Sequence, residues 1–587
     1  MLRKWMAITL SVMMVFTMMP VCAYAETTTF SDMPQDWSTA ALESAVDNGL
    51  LNGSNGRIMP QENLTRAQMA AVINRAFGSE NVAVLAEYED VKASDWFFLD
   101  MAKAVAMGTF QGSGGKLNPN DSITREQAFA VMARALKLEI SEVVPTGFTD
   151  LDKVSDWASG EVFALVNSGY IQGSNGMLNP QGHITRAEFA QVMFNTIKEY
   201  INEAGEYSLD LEGNLMINVP DVTLVDSNVE GDLIIGDGVG EGEVVLDNVN
   251  VTGRLLVRGG GAESIIIKGD SVVGSITIAK VDGEVRIFAE DGTEVGTVLV
   301  DGKDDVIVEG AFEGVVVAVP DVTVWATAAT IASAQVIGEE SKLVIDEDST
   351  VDKLVLSGVK SAVEVNGQVE EIETTEAAID ALITVEEDGS VEHVVANGQG
   401  TAVEGVGTVD SVEANADDVI VVTEGTEVTA AEGVEGVMAG EEEVEAGDST
   451  TVEDETTGGS SGSSYVSPRL RSADLNGVEA VIDGDDVTVT YEFDGEHGNY
   501  VISAEFNKRV KVKSVSSSAN ESVDIDFIEN NITDDDVPTD YSSTLVYGFE
   551  HTITEEHFTT FGDEFDVVVT DGTRDLEFTI TIDYSFN

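Results

Sequence analysis

Cysteine is almost missing from this chain. Cys22 is the only one in 587 residues, and it falls in a stretch that reads as a removable leader. A mature chain without thiols cannot rest on a disulfide framework. Cations are scarce as well: 30 Lys and Arg stand against 107 Asp and Glu, a net charge of −77, and residues 361–468 contain no Lys or Arg. Such a chain repels nucleic acid and anionic membrane, which excludes both as partners. Its self-repulsion calls for screening by salt or divalent ions, so calcium is the one ion worth expecting, beside the simpler reading of solubility. No other cofactor is implied. Past the leader no apolar run is long enough to span a bilayer.

The leader is residues 1–25. Arg3 and Lys4 give a basic start, residues 6–19 are mostly apolar, and Ala23-Tyr24-Ala25 supplies the small-x-small cleavage pattern before Glu26. The protein is expected to be secreted. At this length one hydrophobic core is too few, and several domains are expected.

Three repeats follow. Thr65-Arg66-Ala67-Gln68, Thr124-Arg125-Glu126-Gln127 and Thr185-Arg186-Ala187-Glu188 share a pattern, with the threonines 59 and 61 residues apart (124 − 65, 185 − 124). Asp36-Trp37, Asp95-Trp96 and Asp156-Trp157 keep the same order, as do the turns at Gly53-Ser54, Gly112-Ser113 and Gly173-Ser174. Each unit reads as helix, glycine turn, helix. The threonine and the Gln or Glu three residues later form a capping box, and Leu64, Ile123 and Ile184 sit where an apolar staple belongs.

Arg66, Arg125 and Arg186 each take a first helical position, where a cation opposes the helix dipole. Three such residues in register point to an anion held by free first-turn amides and a guanidinium. The competing reading is an inter-repeat salt bridge to Asp32, Asp90 or Asp150. Trp37, Trp96 and Trp157 read as packing under the caps, with stacking on sugar faces as the alternative.

With the Asp-Trp start, the Gly-Ser turn and the block Ile184-Thr185-Arg186-Ala187-Glu188, residues 28–200 resemble S-layer homology (SLH) repeats. The resemblance implies an all-α pseudo-threefold spindle that binds a pyruvylated secondary cell-wall polysaccharide in its grooves. It further implies that Arg66, Arg125 and Arg186 contact the acidic ketal, and that Gly53, Ser54, Gly112, Ser113, Gly173 and Ser174 line the grooves. The repeats are expected at 26–85, 86–145 and 146–204. Arg186 has the most complete block and is expected to matter most.

Residues 205–447 are rich in Val and Gly. Short apolar strands such as Leu233-Ile234-Ile235 and Leu255-Leu256-Val257 recur about every ten or eleven residues. This points to an all-β parallel solenoid of roughly twenty-residue coils. A stack of antiparallel sandwiches is the alternative. Val219-Pro220-Asp221-Val222-Thr223 returns as Val319-Pro320-Asp321-Val322-Thr323. Polysaccharide lyases often use such helices, and Asp232, Asp237 and Asp247 with Arg254 or Arg258 are the best catalytic candidates. They read more simply as turn carboxylates and strand ends. Aromatics are few here (Tyr207, Phe288, Phe312, Trp325), so no sugar-stacking platform is expected.

Residues 448–468 form a Ser/Thr/Gly linker. Residues 469–587 alternate strictly in segments such as Val487-Thr488-Val489-Thr490, which predicts an antiparallel β-sandwich. Asp483, Asp485 and Asp486, with Asp534, Asp535 and Asp536, are its calcium candidates. The whole reads as a non-catalytic wall-anchored surface protein, a lattice subunit or an isolated one. A wall-anchored lyase or hydrolase is the alternative.

Overall fold

Each N-terminal repeat folds as two helices joined by a hairpin at the glycine turn. The computed structural model describes residues 30–281, 283–440 and 442–453 in full, and beyond these the backbone of strands between Leu470 and Phe586. The leader, most of the linker, and Asp485, Asp534, Asp535 and Asp536 lie outside the described residues. The first repeat holds α1 (Thr39–Asp47) and α2 (Arg66–Phe77), the second α3 (Phe98–Ala106) and α4 (Arg125–Ala135), and the third α5 (Ser159–Asn167) and α6 (Arg186–Thr196).

The capping boxes form at all three predicted sites: Thr65, Thr124 and Thr185 accept from the amides of Gln68, Gln127 and Glu188, whose side chains reach back to the threonine amides. Each such cap contributes about 1 kcal/mol. The helices they open are buried on nearly every side. In α2, Ala67, Met69, Ala70, Ala71, Val72, Ile73, Ala76 and Phe77 are all buried, as expected of a helix that occupies a centre rather than a surface.

The centre is closed in a ring. Leu64, Ile123 and Ile184 are fully buried. Their backbones bond in a cycle: Leu64 N–H to Ile184 O (3.0 Å), Ile184 N–H to Ile123 O (3.2 Å), and Ile123 N–H to Leu64 O (3.0 Å). Each central helix packs on the outer helix of the next repeat, α2 on α3, α4 on α5, and α6 on α1.

The chain passes from α6 directly into β structure. A strand at Glu199–Ile201 already pairs in parallel with Leu215–Ile217, and about twelve coils follow. Every strand pairs in parallel with its counterparts one coil away until the last turns. Leu233 is in register with Leu255, a coil of 22 residues, and Leu354 with Ile372, a coil of 18. Inward Val, Ile and Leu stack into one continuous core. Buried hydroxyls close the corners, as where Ser341 donates to Val319 O (2.7 Å) and Ser349 to Ala326 O (2.9 Å). The recurring Val-Pro-Asp segment is one turn used twice: Asp221 and Asp321 both adopt left-handed backbone, φ 58° and 59°. The antiparallel pairings of Glu427–Ala430 with Ser449–Thr451 and of Met438–Ala439 with Glu442–Glu443 end the stack.

The solenoid and the helices share a core. Met216, Ile234, Leu256 and Ala279 point out of the solenoid into the helical cluster. Arg254 donates to the carbonyls of Lys137 (2.6 Å) and Leu136 beyond the end of α4, and pairs with Asp232 (3.1 Å). Arg258 lies 5.5 Å over the Phe77 ring, pairs with Asp237 at 2.9 Å, and is wholly buried. Asn218 donates to Arg75 O and Ala76 O at the end of α2. At Gly78 (φ +68°) an added Cβ would sit 2.5 Å from Gly238 Cα, so only glycine permits this approach.

The terminal unit is separate and holds eight strands among the described residues. The long strand Tyr500–Ser517 pairs antiparallel with Leu470–Leu475 and Val546–Ile553 through its first part, and with Glu564–Thr570 through its second. Strand Asp486–Phe493 runs parallel to Asp575–Phe586, a departure from the purely antiparallel expectation.

Candidate functional site

The arginines work across repeats. Arg66 donates through Nε to Leu117 O (2.7 Å), Arg125 to Leu178 O (2.6 Å), and Arg186 to Ile58 O (2.8 Å). The same three residues offer their amides to carboxylates of their own repeats: Ile58 to Asp32 (2.7 Å), Leu117 to Asp90 (2.9 Å), and Leu178 to Asp150 (2.9 Å). Each hairpin base is therefore held by an aspartate on its N–H and by the preceding repeat's arginine on its C=O. The salt bridge to Asp32, Asp90 or Asp150 that the competing reading called for does not form at these arginines; the carboxylates hold amides instead.

Two expectations are corrected. The first-turn amides are not free. Arg66, Arg125 and Arg186 donate their backbone N–H to Asp121 O, Gly182 O and Glu62 O, and the following residues donate to Pro119, Pro180 and Pro60. Any anion must be held by the remaining guanidinium hydrogens rather than by the helix terminus. The tryptophans do not pack under the caps: Trp37, Trp96 and Trp157 are 59%, 65% and 52% exposed. Leu64, Ile123 and Ile184 fill the space beneath the caps, which leaves the indoles on the surface.

The structure pairs each arginine with the turn of the next repeat. Arg66, Gly112, Ser113, Lys116, Arg134 and Trp157 line one cavity of about 630 Å³, which also holds Asp121 and Glu161. By the same cross-repeat bonds Arg125 belongs with the Gly173-Ser174 turn. Arg186 belongs with Gly53-Ser54, where it also donates to Asn52 O (2.9 Å). The glycines have a packing reason of their own. A Cβ at Gly53, Gly112 or Gly173 would meet the ring of Phe30, Tyr88 or Phe148 at 2.1, 2.3 and 2.7 Å. The serines form the hairpin bridges Ser54–Arg57, Ser113–Lys116 and Ser174–Met177.

Burial pulls all three guanidinium pKa values below the ordinary arginine level. Nearby carboxylates oppose this, Asp121 and Asp90 at Arg66, Glu188 and Asp150 at Arg125, and Glu62 and Asp32 at Arg186. Arginine starts so far above neutrality that each remains a cation. Sequence reasoning missed Arg75, Arg134, Lys116 and Arg57. The signal was present in register: Arg75 and Arg134 each stand nine residues after the block arginine (75 − 66, 134 − 125).

The lyase constellation does not assemble as an open site. Arg254 and Arg258 are engaged with helix-end carbonyls and with Asp232 and Asp237, and Asp247 pairs with Lys268 at 3.2 Å. Among the described residues no group of three His, Cys, Asp or Glu side chains could hold a metal, and no helix is long and apolar enough to cross a membrane.

A closed ring of three capped helix pairs, with an arginine reaching into each neighbour's hairpin, defines a helical module of three repeats. Residues 29–70, 87–129 and 147–190 match the S-layer homology domain. The chain thus carries three SLH repeats in its first third and is secreted and associated with the cell wall. It is 32% identical over 203 residues to the surface-layer 125 kDa protein of Lysinibacillus sphaericus, covering 33% of this chain and 17% of that one. It is 27% identical to the S-layer protein sap of Bacillus anthracis, over 32% and 23% of the two chains. It is 29% identical to an amylopullulanase of Thermoanaerobacterium thermosulfurigenes, over 29% and 10%. The chain thus spans less than a quarter of each of these relatives.

Proposed function

We propose that this protein is a non-catalytic structural component of a bacterial surface. Its SLH ring grips a pyruvylated secondary cell-wall polysaccharide, and the solenoid forms a stiff acidic body fixed to that anchor. The observation that carries the reading is the shared core of ring and solenoid, in which Arg254 and Arg258, the best candidate bases, serve as ties at helix ends. An exposed indole beside Arg66 and Arg134 offers what an acidic sugar needs, a stacking face and cations. The terminal unit is read as a β-sandwich that meets a partner or a second copy. A strand that pairs with one set of neighbours and then another supports that reading.

The test is sedimentation of the mature chain with purified wall sacculi, before and after chemical removal of the secondary polymer. Binding that disappears with the polymer supports the anchor; undiminished binding to stripped peptidoglycan rejects it. Since one relative is named as an amylopullulanase, the chain is also assayed on polygalacturonate, alginate and starch-type polymers, with and without calcium. Turnover of any of them rejects the non-catalytic reading.

A further inference from the structure

The three grooves are not equivalent: besides Asp121, Gly182 and Glu62, which differ where the block arginine's amide is accepted, they differ at three further related positions. Glu188 belongs to the cap of α6, yet its Oε1 lies 3.0 Å from Arg125 Nη1 in the neighbouring groove. The related caps carry Gln68 and Gln127, which form the same capping box without a charge. The hairpin position after the turn is Arg57 in the Arg186 groove and Lys116 in the Arg66 groove, but Met177 in the Arg125 groove. The position nine residues after the block arginine is Arg75, Arg134 and Asn195 respectively (195 − 186 = 9).

Arg66 thus has Arg134 and Lys116 as companions. Arg134 itself pairs with Glu161 at 2.9 Å, while Arg66 feels Asp121 and Asp90 without a direct ion pair to either, and Lys116 stays exposed at the groove's edge. Arg186 feels Arg75 as a like-charged neighbour and Glu62 and Asp32 as opposite ones. Arg125 has no cationic companion at either related position, and it is neutralised by a direct ion pair. An anion entering there would have to displace a carboxylate already in contact, at no gain in net charge.

We propose that anionic groups of the wall polymer are taken up by the Arg66 and Arg186 grooves, and that Glu188 holds the Arg125 groove closed to them. The proposal rests on the polysaccharide-anchoring reading above. It makes Glu188 a specificity determinant and gives the ring two anion-binding grooves and one held closed by its own carboxylate.

The test uses the full mature chain and wall sacculi carrying their secondary polymer, with sacculi stripped of it as the control. Lys116→Met and Arg57→Met copy the Arg125 groove onto the other two, and both replace exposed side chains. Met177→Lys with Glu188→Gln makes the reverse change, and the capping box survives because Gln68 and Gln127 already serve it. The expected result is a loss of about twofold to fivefold in affinity for each methionine variant, and a gain of similar size for the reverse variant, all with a cooperative melting transition retained. A reverse variant that binds no better than wild type, while Lys116→Met and Arg57→Met weaken binding, overturns the role of Glu188. Methionine variants that bind normally overturn the two-groove assignment. Wild-type binding that ignores removal of the polymer is a different failure, that of the anchoring reading itself.

Discussion

The amide of Leu64 donates to the carbonyl of Ile184 at 3.0 Å, joining the first repeat to the third. Ile123 completes the cycle, so none of the three repeats has a free edge at the axis. The side chains at this ring are fully buried and face one another's helices. Leu64→Ala should therefore cost about 2–5 kcal/mol, and Ile123→Ala and Ile184→Ala should cost similar amounts despite lying in different repeats. Thermal loss of helical circular dichroism measures this. A variant that melts one repeat's worth of helix and leaves the rest intact would contradict the closed ring.

Asp32 supplies an acid-sensitive tie. Burial works against its ionisation, but the amides of Ile58 and Met59 and the nearby Arg57 outweigh it and hold the carboxyl below the ordinary aspartate value. A depressed folded-state pKa contributes stability that is complete above the unfolded value, about 4, and is lost as pH falls through the lower folded value. Asp32→Asn should flatten the decline of melting temperature below about pH 4 and change little at neutral pH beyond a uniform offset. Acid titration of the melting temperature of both proteins checks it.

Arg186 has two tasks, and its replacement should reveal both. The sequence alone predicts that removing the charge leaves the fold intact. Its bonds to Ile58 O and Asn52 O make it a tie between the third and first repeats. Arg186→Ala should lower stability by about 1–3 kcal/mol as well as weaken wall binding. Melting and sedimentation measured on one preparation separate the two effects.

At the junction, Arg258→Ala leaves Asp237 buried without its partner and should cost about 3–5 kcal/mol. Gly78→Ala should also destabilise, because its Cβ would meet Gly238. Both variants should expose the connection near Lys198 to protease while distant coils stay protected. Equal loss of protection along the whole solenoid would show that the damage is not local.

Much of this architecture was legible in the sequence because it is periodic. The capping boxes at Thr65, Thr124 and Thr185 and the coil length of the solenoid are local patterns, and both appear as read. The groove was harder, because it combines Arg66 with Lys116 and Trp157 from three different repeats, and no spacing within one repeat announces that. The fate of the first-turn amides was invisible for the same reason, since their acceptors Asp121 O and Pro119 O lie in the next repeat. The junction did leave a trace. Leu215-Met216-Ile217, Leu233-Ile234-Ile235 and Leu255-Leu256-Val257 are apolar at all three positions, the mark of strands covered on both faces. Later strands alternate, as in Ala362–Val365.

That trace bears on how such a protein can change length. The outward column that begins Met216, Ile234, Leu256 continues through Thr277, Leu299, Val316, Gln335, Val355, Glu373, Val395 and Glu413, a mixture of polar and apolar side chains that lies outside the helical core. The ring reads only the opening coils. Beyond them one coil is interchangeable with the next, so insertion or excision of whole coils between Leu343 and Val421 would reset the reach of the rod without disturbing the grip at its base.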